Sequence, residues 1–444
     1  MILKNLETGD ESEIAPRRPP EEYYWNNYPA WSADGEKLAV VVTSRTEHLL
    51  RLLIIDAESG REEEAKTRKF RNVEQVVWAA DGGSFIAAAN DGENFQLWRV
   101  EYPSGETSRI TNDLNSYLGL SITRDGRKLL ARQRIYYSNI WTAEQTNLEN
   151  PRQLTVGTSR NDGLKGLAWL GNERIVYSSN NEKLRDWNLW TIDAADGGGN
   201  SRRQITFDAE TQNEKPTAAP DGQAVYFSSN RVTTAHIWRV ESGGENLAQI
   251  TFDEAAAAAT ELYPQVSPDG AWLYYIRQAS GASAVWRKSL AAAEGRAEKL
   301  TDEQRFSPGT FLSLSPDGRF LAFQNLSAGE SGAKQAEDFK VAVISVENPS
   351  KAKFFRLPPP RQFVKWHPGA ADSSAFDYVV ETQEGAQIWR QPLDEAAAPT
   401  LILNIPKDGI FNFAWSKDGR RLAVARGQLL RGAVLLTAAA ASGE

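Results

Sequence analysis

The sequence lacks the motifs that would bring a catalytic base and a nucleophile together. The three histidines, His48, His236 and His367, lie far apart along 444 residues, and there is no cysteine. A serine hydrolase needs a Gly-x-Ser-x-Gly elbow, and the nearest segments, GASAV, GTSRN and GESGA, lack its second glycine. No His-Glu-x-x-His motif and no phosphate-binding glycine loop occur. We therefore predict no catalytic residue, no metal site and no cofactor, in a protein that is not an enzyme.

Arginines recur at one point of a repeated pattern and offer a different chemistry, the binding of anions. Guanidinium groups bind carboxylates in a bidentate manner, and a cationic surface attracts acidic ligands. The sequence therefore predicts a binding face for an acidic peptide or carboxylate. An alternative is that each arginine forms a salt bridge with the turn aspartate of a neighbouring blade and that the tyrosines only pack. The candidate face comprises Arg45, Arg134, Arg231, Arg277 and Arg426, with the aromatic residues Tyr28, Tyr117 and Tyr263.

A repeat of about 48 residues positions these side chains. Its first marker is an Asp-Gly turn, and an aliphatic-Trp pair follows about 17 residues later. An aliphatic-Thr pair such as Leu300-Thr301 then closes most units. Periods of this size indicate propellers, solenoids or arrays. The turns, including two degenerate copies, are anchored near residues 34, 81, 125, 172, 221, 269, 317, 368 and 418.

Each unit predicts four short antiparallel strands. In the unit from Leu262 to Thr301, Pro268, Asp269 and Gly270 form a tight hairpin between YPQVS and AWLYYIR. SAVWRKSL and AEKLT provide two further strands, and no segment has helical periodicity. Four strands in 48 residues are typical of one propeller blade. We predict an all-β chain forming a single β-propeller domain over residues 1–444, with eleven of the fourteen tryptophans between blades.

The two ends of the chain suggest how the ring closes. ILKNLETGDESEI near the N-terminus matches the third and fourth strands of a unit, and FAWSKDGRRLAVARGQLLRGAVLLT matches the first three. Pairing of N- and C-terminal strands would remove exposed sheet edges. We predict one closed ring of eight to nine blades, with nine favoured. An eight-bladed ring with a spare edge and a fragment of a longer array are the alternatives.

Composition excludes several partners. Hydrophobic residues make up 41% and charged residues 24% of the chain, which is typical of a soluble globular protein. The net charge is −8 and no long basic run occurs, so we expect no nucleic-acid partner. No apolar stretch reaches the roughly 18–20 residues of a membrane helix, and the N-terminus lacks the features of a signal peptide. We expect a monomer that is not inserted in a membrane and, from the chain as given, is cytoplasmic.

The repeats resemble those of a known family. SPDGAWLYYIRQASGASAVWRKSL and PDGQAVYFSSNRVTTAHIWRVESGGENLAQIT resemble the Pro-Asp-Gly, WD-like repeats of TolB-like propellers. NPRQLTVGTSRNDGLKGLAW and IFNFAWSKDGRRLAVARG look more like the C-terminal sensor propellers of bacterial membrane-anchored serine/threonine kinases. That resemblance implies a location outside the cytoplasmic membrane.

Fold and missing motifs together predict a non-catalytic binding or sensing scaffold. One face would bind a protein, a peptide or a small ligand, as in the sensor part of a bacterial signalling protein. One alternative is a metal-dependent hydrolase or lactonase centred on the channel. Another is the regulatory propeller of a prolyl-oligopeptidase-type peptidase.

Overall fold

The computed structural model is built almost entirely of β-strands. The residues it describes contain one short 3-10 turn, Gln145–Asn147, and no α-helix, so none of their segments is a helix able to cross a membrane. The described residues are 1–16, 21–23, 29–44, 50–68, 70, 72–90, 94–113, 115–157, 160–180, 186–196, 200–209, 211–232, 234–252, 259–279, 282–291, 295–302, 308–325, 340–358, 363–368, 373–394 and 396–437.

The contacts divide the chain into two units. Unit 1 comprises Met1–Tyr136 and Leu429–Glu444, and unit 2 comprises Tyr137–Gln428. The boundary falls inside two strands of 17 residues each, which therefore contribute to both units. The single domain predicted for residues 1–444 stays a prediction, and each unit is described by itself.

Unit 1 contains hairpins and sheets near the N-terminus. β1 and β2 pair with each other, β3, β5, β6 and β7 form a sheet in which β4 also pairs with β5, and β8–β11 form a four-stranded sheet. Its strands are β1 (Ile2–Lys4), β2 (Glu11–Glu13), β3 (Glu21–Tyr23), β4 (Ala30–Trp31), β5 (Lys37–Ser44), β6 (Leu50–Asp56), β7 (Glu62–Glu64), β8 (Asn72–Trp78), β9 (Ser84–Asn90), β10 (Gln96–Glu101), β11 (Thr107–Arg109), β12 (Ser116–Ile122) and the first part of β13 (Lys128–Glu144).

Unit 2 contains five four-stranded sheets, each an antiparallel meander of consecutive strands. The first is β15 (Leu167–Leu170), β16 (Arg174–Asn180), β17 (Trp187–Asp193) and β18 (Arg203–Gln204); the second is β19 (Asn213–Ala218), β20 (Ala224–Ser229), β21 (His236–Glu241) and β22 (Ala248–Gln249). The third is β23 (Thr260–Val266), β24 (Trp272–Ala279), β25 (Ala282–Ser289) and β26 (Ala297–Lys299); the fourth is β27 (Pro308–Leu314), β28 (Phe320–Asn325), β29 (Lys340–Ser345) and β30 (Ala352–Arg356). The fifth is β31 (Val364–Trp366), β32 (Ala375–Thr382), β33 (Gly385–Pro392) and β34 (Thr400–Pro406).

A sixth sheet joins the two ends of unit 2. β35 (Gly409–Trp415) and the first part of β36 (Arg421–Thr437) lie beside the second part of β13, whose outer edge pairs with β14 (Arg152–Gln153). Gly427 packs so closely on this neighbour that a Cβ would lie 2.0 Å from the Tyr137 carbonyl oxygen. The first strands of the six sheets contact one another in the cyclic order β15, β19, β23, β27, β31, β35 and back to β15. Unit 2 is therefore a closed ring of six blades.

The predicted all-β propeller of four-stranded antiparallel blades is confirmed, but the predicted count of eight to nine blades in one ring is not. The ring of unit 2 closes after six sheets because residues 137–144 complete the blade begun by residues 409–428. One blade is shared by distant segments, as expected, but those segments are not the chain ends. In the described part of the chain, β1 pairs only with β2.

The Asp-Gly turns show why the first marker repeats. At the turn after β23, the Ser267 hydroxyl donates to Asp269 Oδ1 and accepts from Trp272 N at 2.9 Å, while Ala271 N donates to Asp269 at 3.0 Å. Gly270 adopts φ 72°, a left-handed conformation that glycine tolerates best. The hydroxyl and amide donors lower the pKa of Asp269. A Ser or Thr hydroxyl likewise donates to the turn aspartate at Asp34, Asp125, Asp317 and Asp418.

The aliphatic-Thr marker has an equally local cause. Each threonine hydroxyl accepts a hydrogen bond from the backbone N–H of the aliphatic residue that precedes the marker tryptophan of the third strand. The distance is 2.9 Å in all five cases. Because this N–H is buried, its bond must be made inside the blade. The pairs are Leu97 with Thr111, Ile140 with Thr155, Leu189 with Thr206, Ile237 with Thr251 and Val285 with Thr301.

The predicted tryptophan core is only partly confirmed. Five of the eleven marker tryptophans are buried, and Trp31 is 51% exposed. Those of the third strands, apart from Trp98, are half-buried, and most of them carry a guanidinium on one face. The buried set is Trp78, Trp98, Trp169, Trp366 and Trp415.

Candidate ligand-binding cavity

Three of the predicted arginines stack on the marker tryptophans of unit 2. The Arg231 guanidinium lies 4.5 Å from the Trp238 ring, that of Arg277 lies 4.9 Å from Trp286, and that of Arg426 lies 3.7 Å from Trp141. Such cation–π contacts contribute about 0.5–2 kcal/mol each. The arginines recur because the tryptophans do, so their spacing follows from blade architecture.

Two of these arginines also pair with an acid just before the first strand of their blade. Arg231 Nη2 donates to Asp208 Oδ2 at 2.9 Å and to Asn213 Oδ1 at 2.9 Å. Arg426 Nε lies 3.3 Å from Asp408 Oδ2. The carboxylates belong to loops between blades and not to the Asp-Gly turns that we had expected. A binding role for these arginines stays a prediction.

In unit 1, the described candidate residues Tyr117 and Arg134 make contacts within their own sheet. Tyr117 is buried, its hydroxyl donates to Asp113 Oδ2 at 2.6 Å, and it accepts from Gln133 Nε2 at 3.2 Å. Burial raises the pKa of Tyr117. Arg134 is opposite Ser116 in the sheet register, with its guanidinium 6.0 Å from the Tyr136 ring. Arg45 and Tyr28 lie outside the described residues.

The histidines occupy structural positions. His236 is buried, with Nδ1 3.0 Å from Glu261 Oε2 and Nε2 3.2 Å from Thr234 Oγ1. The same place in other blades holds Gln96 or Asn188, whose amides bond the loop that follows the marker threonine. Burial raises the pKa of Glu261.

His367 lies 4.7 Å from the Trp415 ring, and burial lowers the pKa of this histidine. His48 lies outside the described residues. Within the described ranges, no three His, Asp or Glu side chains cluster as metal ligands would.

A cavity of about 280 Å³ lies where the first strands of unit 2 meet. Every blade contributes to its wall, since β15, β19, β23, β27, β31 and β35, or the residues just before them, supply lining side chains. Apolar side chains alternate there with amines, a phenol and amides. The apolar lining includes Leu164, Phe311, Phe363 and Phe411, and the polar lining comprises Lys215, Tyr263, Gln265, Lys365 and Asn412.

Two of these residues hold an unusual backbone conformation. Lys215 has φ 56° and Tyr263 has φ 59°, and each lies where the strand register shifts, at a β-bulge. They are 48 residues apart, at the same point of adjacent blades. A left-handed conformation costs a non-glycine residue about 1–2 kcal/mol. β-Bulges change the direction in which side chains point and are common beside functional sites. The two bulges therefore indicate the cavity as a candidate binding site.

Two lysines and one glutamate set the charge of the cavity. Lys215 Nζ lies 3.7 Å from Glu214 Oε2 and 5.5 Å from the Tyr263 ring. Loss of hydration on burial, with a smaller contribution from the charge of Lys215, lowers the pKa of Lys365 to about 8. Burial and the nearby Glu214 raise the pKa of Tyr263. The arrangement can bind an anion with an apolar body and can present an uncharged amine.

Tyr263 was predicted from the sequence, whereas Lys215 and Lys365 were missed. Lysine does not recur at the equivalent positions of the other blades, so a search for recurring residues passes over them. One signal was present: Lys215-Pro216 and Tyr263-Pro264 place proline inside a predicted strand at equivalent points. Proline within a strand indicates an edge or a bulge.

Comparisons with known proteins give limited matches. No family model matches the chain. Dipeptidyl-peptidase 5 of Porphyromonas gingivalis is 27% identical over 105 residues, which are 23% of this chain and 15% of that protein. TolB from Acinetobacter baumannii aligns with a TM-score of 0.30 and 14% identity, covering 70% of this chain and 62% of that one. Oligogalacturonate lyase from Vibrio parahaemolyticus aligns with a TM-score of 0.35 and 14% identity, covering 90% and 97%.

The chain spans well under two thirds of the length of the peptidase that it matches. The resemblance to kinase sensor propellers stays a prediction. With its Pro-Asp-Gly repeats and its antiparallel four-stranded blades, the chain is similar to TolB β-propeller proteins.

Proposed function

We propose that unit 2 is a non-catalytic scaffold that binds a small anionic ligand, or the carboxylate of a peptide, in its axial cavity. The observation that carries the proposal is the pair of left-handed bulges at Lys215 and Tyr263. Glycine would remove the backbone cost at both places, and Gly119 occupies an equivalent bulge in unit 1 with φ 57°. Retention of a lysine and a tyrosine at such positions is explained if their side chains contact a ligand.

The charge of the cavity favours an anion. Lys215 and Lys365 both line it, and the acidic Glu214 lies within ion-pair distance of Lys215 and, at 3.9 Å, of Lys165. A carboxylate entering the cavity would therefore meet ammonium groups in surroundings where charge interactions are stronger than in water. The phenylalanine side chains Phe311, Phe363 and Phe411 offer an apolar surface to the rest of the ligand.

A catalytic role is not part of the proposal. His236 and Glu261, a buried pair of potential proton carriers, bond each other at a position that amides fill in other blades. If the propeller is the sensor part of a signalling protein, occupancy of the cavity would be the signal.

The proposal can be tested by a ligand-observed NMR titration of the full chain with benzoate and with its neutral isostere benzamide. We expect benzoate to bind and benzamide to bind at least tenfold more weakly, because a charge-assisted hydrogen bond contributes about 1.5–3 kcal/mol. Lys215→Gln and Lys365→Gln should each weaken benzoate binding about tenfold or more.

Lys353→Gln is the matched control, since Lys353 is exposed and its Nζ donates to the Leu393 carbonyl. This variant should bind benzoate like the parent. Equal binding of benzoate and benzamide, or equal loss in all three variants, would contradict the proposal.

A further inference from the structure

We propose that Lys365 captures a carbonyl compound as a reversible imine, so that the ligand of the axial cavity is an anion bearing an aldehyde or ketone. The inference rests on the proposed function and names the ligand class. It begins from where β31 places this amine. Lys365 lies between the buried residues Val364 and Trp366 and lines the cavity.

Strand β31, which carries Lys365, bonds to a neighbouring blade and pairs with β32 of its own blade. Trp366 Nε1 donates to the Ser313 carbonyl of the neighbouring blade at 3.1 Å. Lys365 is opposite Asp377 in the register with β32. The Asp377 carboxylate is already bonded, at 2.7 Å and 3.0 Å by Arg390 and at 2.7 Å by Trp415 Nε1. In the described part of the chain, no carboxylate lies within ion-pair distance of Lys365.

The neighbours of Lys365 favour its neutral form. Loss of hydration on burial and, to a smaller extent, the charge of Lys215 lower the pKa of Lys365 from the ordinary 10.5 to about 8. Near neutral pH, a larger fraction of such amines is therefore uncharged than of ordinary lysines. A lysine in an apolar pocket beside a second cation is activated as a nucleophile in this way.

The proposed step is an addition followed by loss of water. The lone pair of Lys365 Nζ forms a bond to the carbonyl carbon, and the carbonyl π electrons move to oxygen. A proton passes from nitrogen to that oxygen, which gives a carbinolamine. Protonation and departure of the hydroxyl as water leave a protonated imine, with no change in oxidation state. Lys215 remains charged beside it and would bind the ligand's carboxylate.

The test uses 4-formylbenzoate with cyanoborohydride, which reduces an imine to a stable amine. We expect intact mass to show one adduct per chain at low probe concentration, and peptide mapping to place it at Lys365. Labelling should increase with pH, with a midpoint near the lowered pKa of Lys365. Excess benzoate should slow it.

Two variants control for charge and for lysine chemistry. Lys365→Arg keeps the positive charge and should reduce the labelling rate at least tenfold, while Lys353→Arg should leave it unchanged. If Lys365→Arg misfolds, peptide mapping and benzoate competition on the parent protein still show whether the adduct forms at Lys365 in the cavity. Adducts distributed over surface lysines without benzoate protection would overturn the inference.

Terephthalate, which lacks the aldehyde, separates the two proposals. If terephthalate and benzoate bind but 4-formylbenzoate gives no adduct at Lys365, the imine is wrong and the anion site stands. If neither anion binds, the proposed function fails as well.

Discussion

Each of two neighbouring first strands in unit 2 contains a left-handed residue inside the strand and another just after it, and the two positions are filled differently. The turns after β19 and β23 use Gly222 and Gly270, both with φ 72°. The bulges inside the same strands use Lys215 and Tyr263, with φ 56° and 59°. The two turns hold the same residue at the left-handed position, whereas the two bulges hold different residues there and share only the proline that follows.

The difference separates what the fold requires from what the fold tolerates. A glycine gives the turn its left-handed conformation at little cost, so the same residues serve every blade. A lysine or tyrosine at a bulge costs about 1–2 kcal/mol. Tyr263 also packs against two hydrophobic clusters, whereas Lys215 belongs to neither of them. Strain of this kind is expected where a side chain is used for binding.

The largest effect is expected from a repeated hydrogen bond. Thr301→Val should lower the free energy of unfolding by about 2 kcal/mol, because it leaves the buried Val285 N–H without its 2.9 Å acceptor. Thr400→Val, on an exposed strand position, is the control and should change it by less than about 0.5 kcal/mol. Urea denaturation measures both, and equal effects would mean that the marker does not stabilise the blade.

A smaller loss is expected at a turn glycine. Gly270→Ala should cost about 1–2 kcal/mol from backbone strain alone, since a Cβ there would meet no atom within 4 Å. Gly432 has equally open surroundings without a left-handed φ, and Gly432→Ala should be neutral or slightly stabilising. Indistinguishable denaturation midpoints for the two variants would contradict the role given to the turn.

The sequence predicted the blade because the blade is made by local bonds. The Ser-x-Asp-Gly turn and the threonine bond lie within one unit of the repeat, so a single period reveals them. The predicted number of blades is not confirmed, because closure of the ring in unit 2 depends on β13 and β36. Both run through 17 residues without a turn, and no local signal marks where one unit ends.

The same local logic explains why the predicted arginines recur, and their binding role stays a prediction. Arg231, Arg277 and Arg426 recur because they stack on recurring tryptophans. Lys215 and Lys365 come together only when non-equivalent positions of different blades meet at the ring axis. Among the predicted residues that the structure describes, only Tyr263 lines the cavity.

The most direct test of this account compares Lys215→Gly with Lys215→Ala in urea denaturation, alongside benzoate titration. Both variants lose the amine, but only alanine keeps the cost of the left-handed conformation. The account predicts that the glycine variant is more stable by about 1 kcal/mol and that both bind benzoate equally weakly. An alanine variant more stable by the 0.5–1 kcal/mol typical of an ordinary strand would contradict it, as would benzoate binding that survives in either variant.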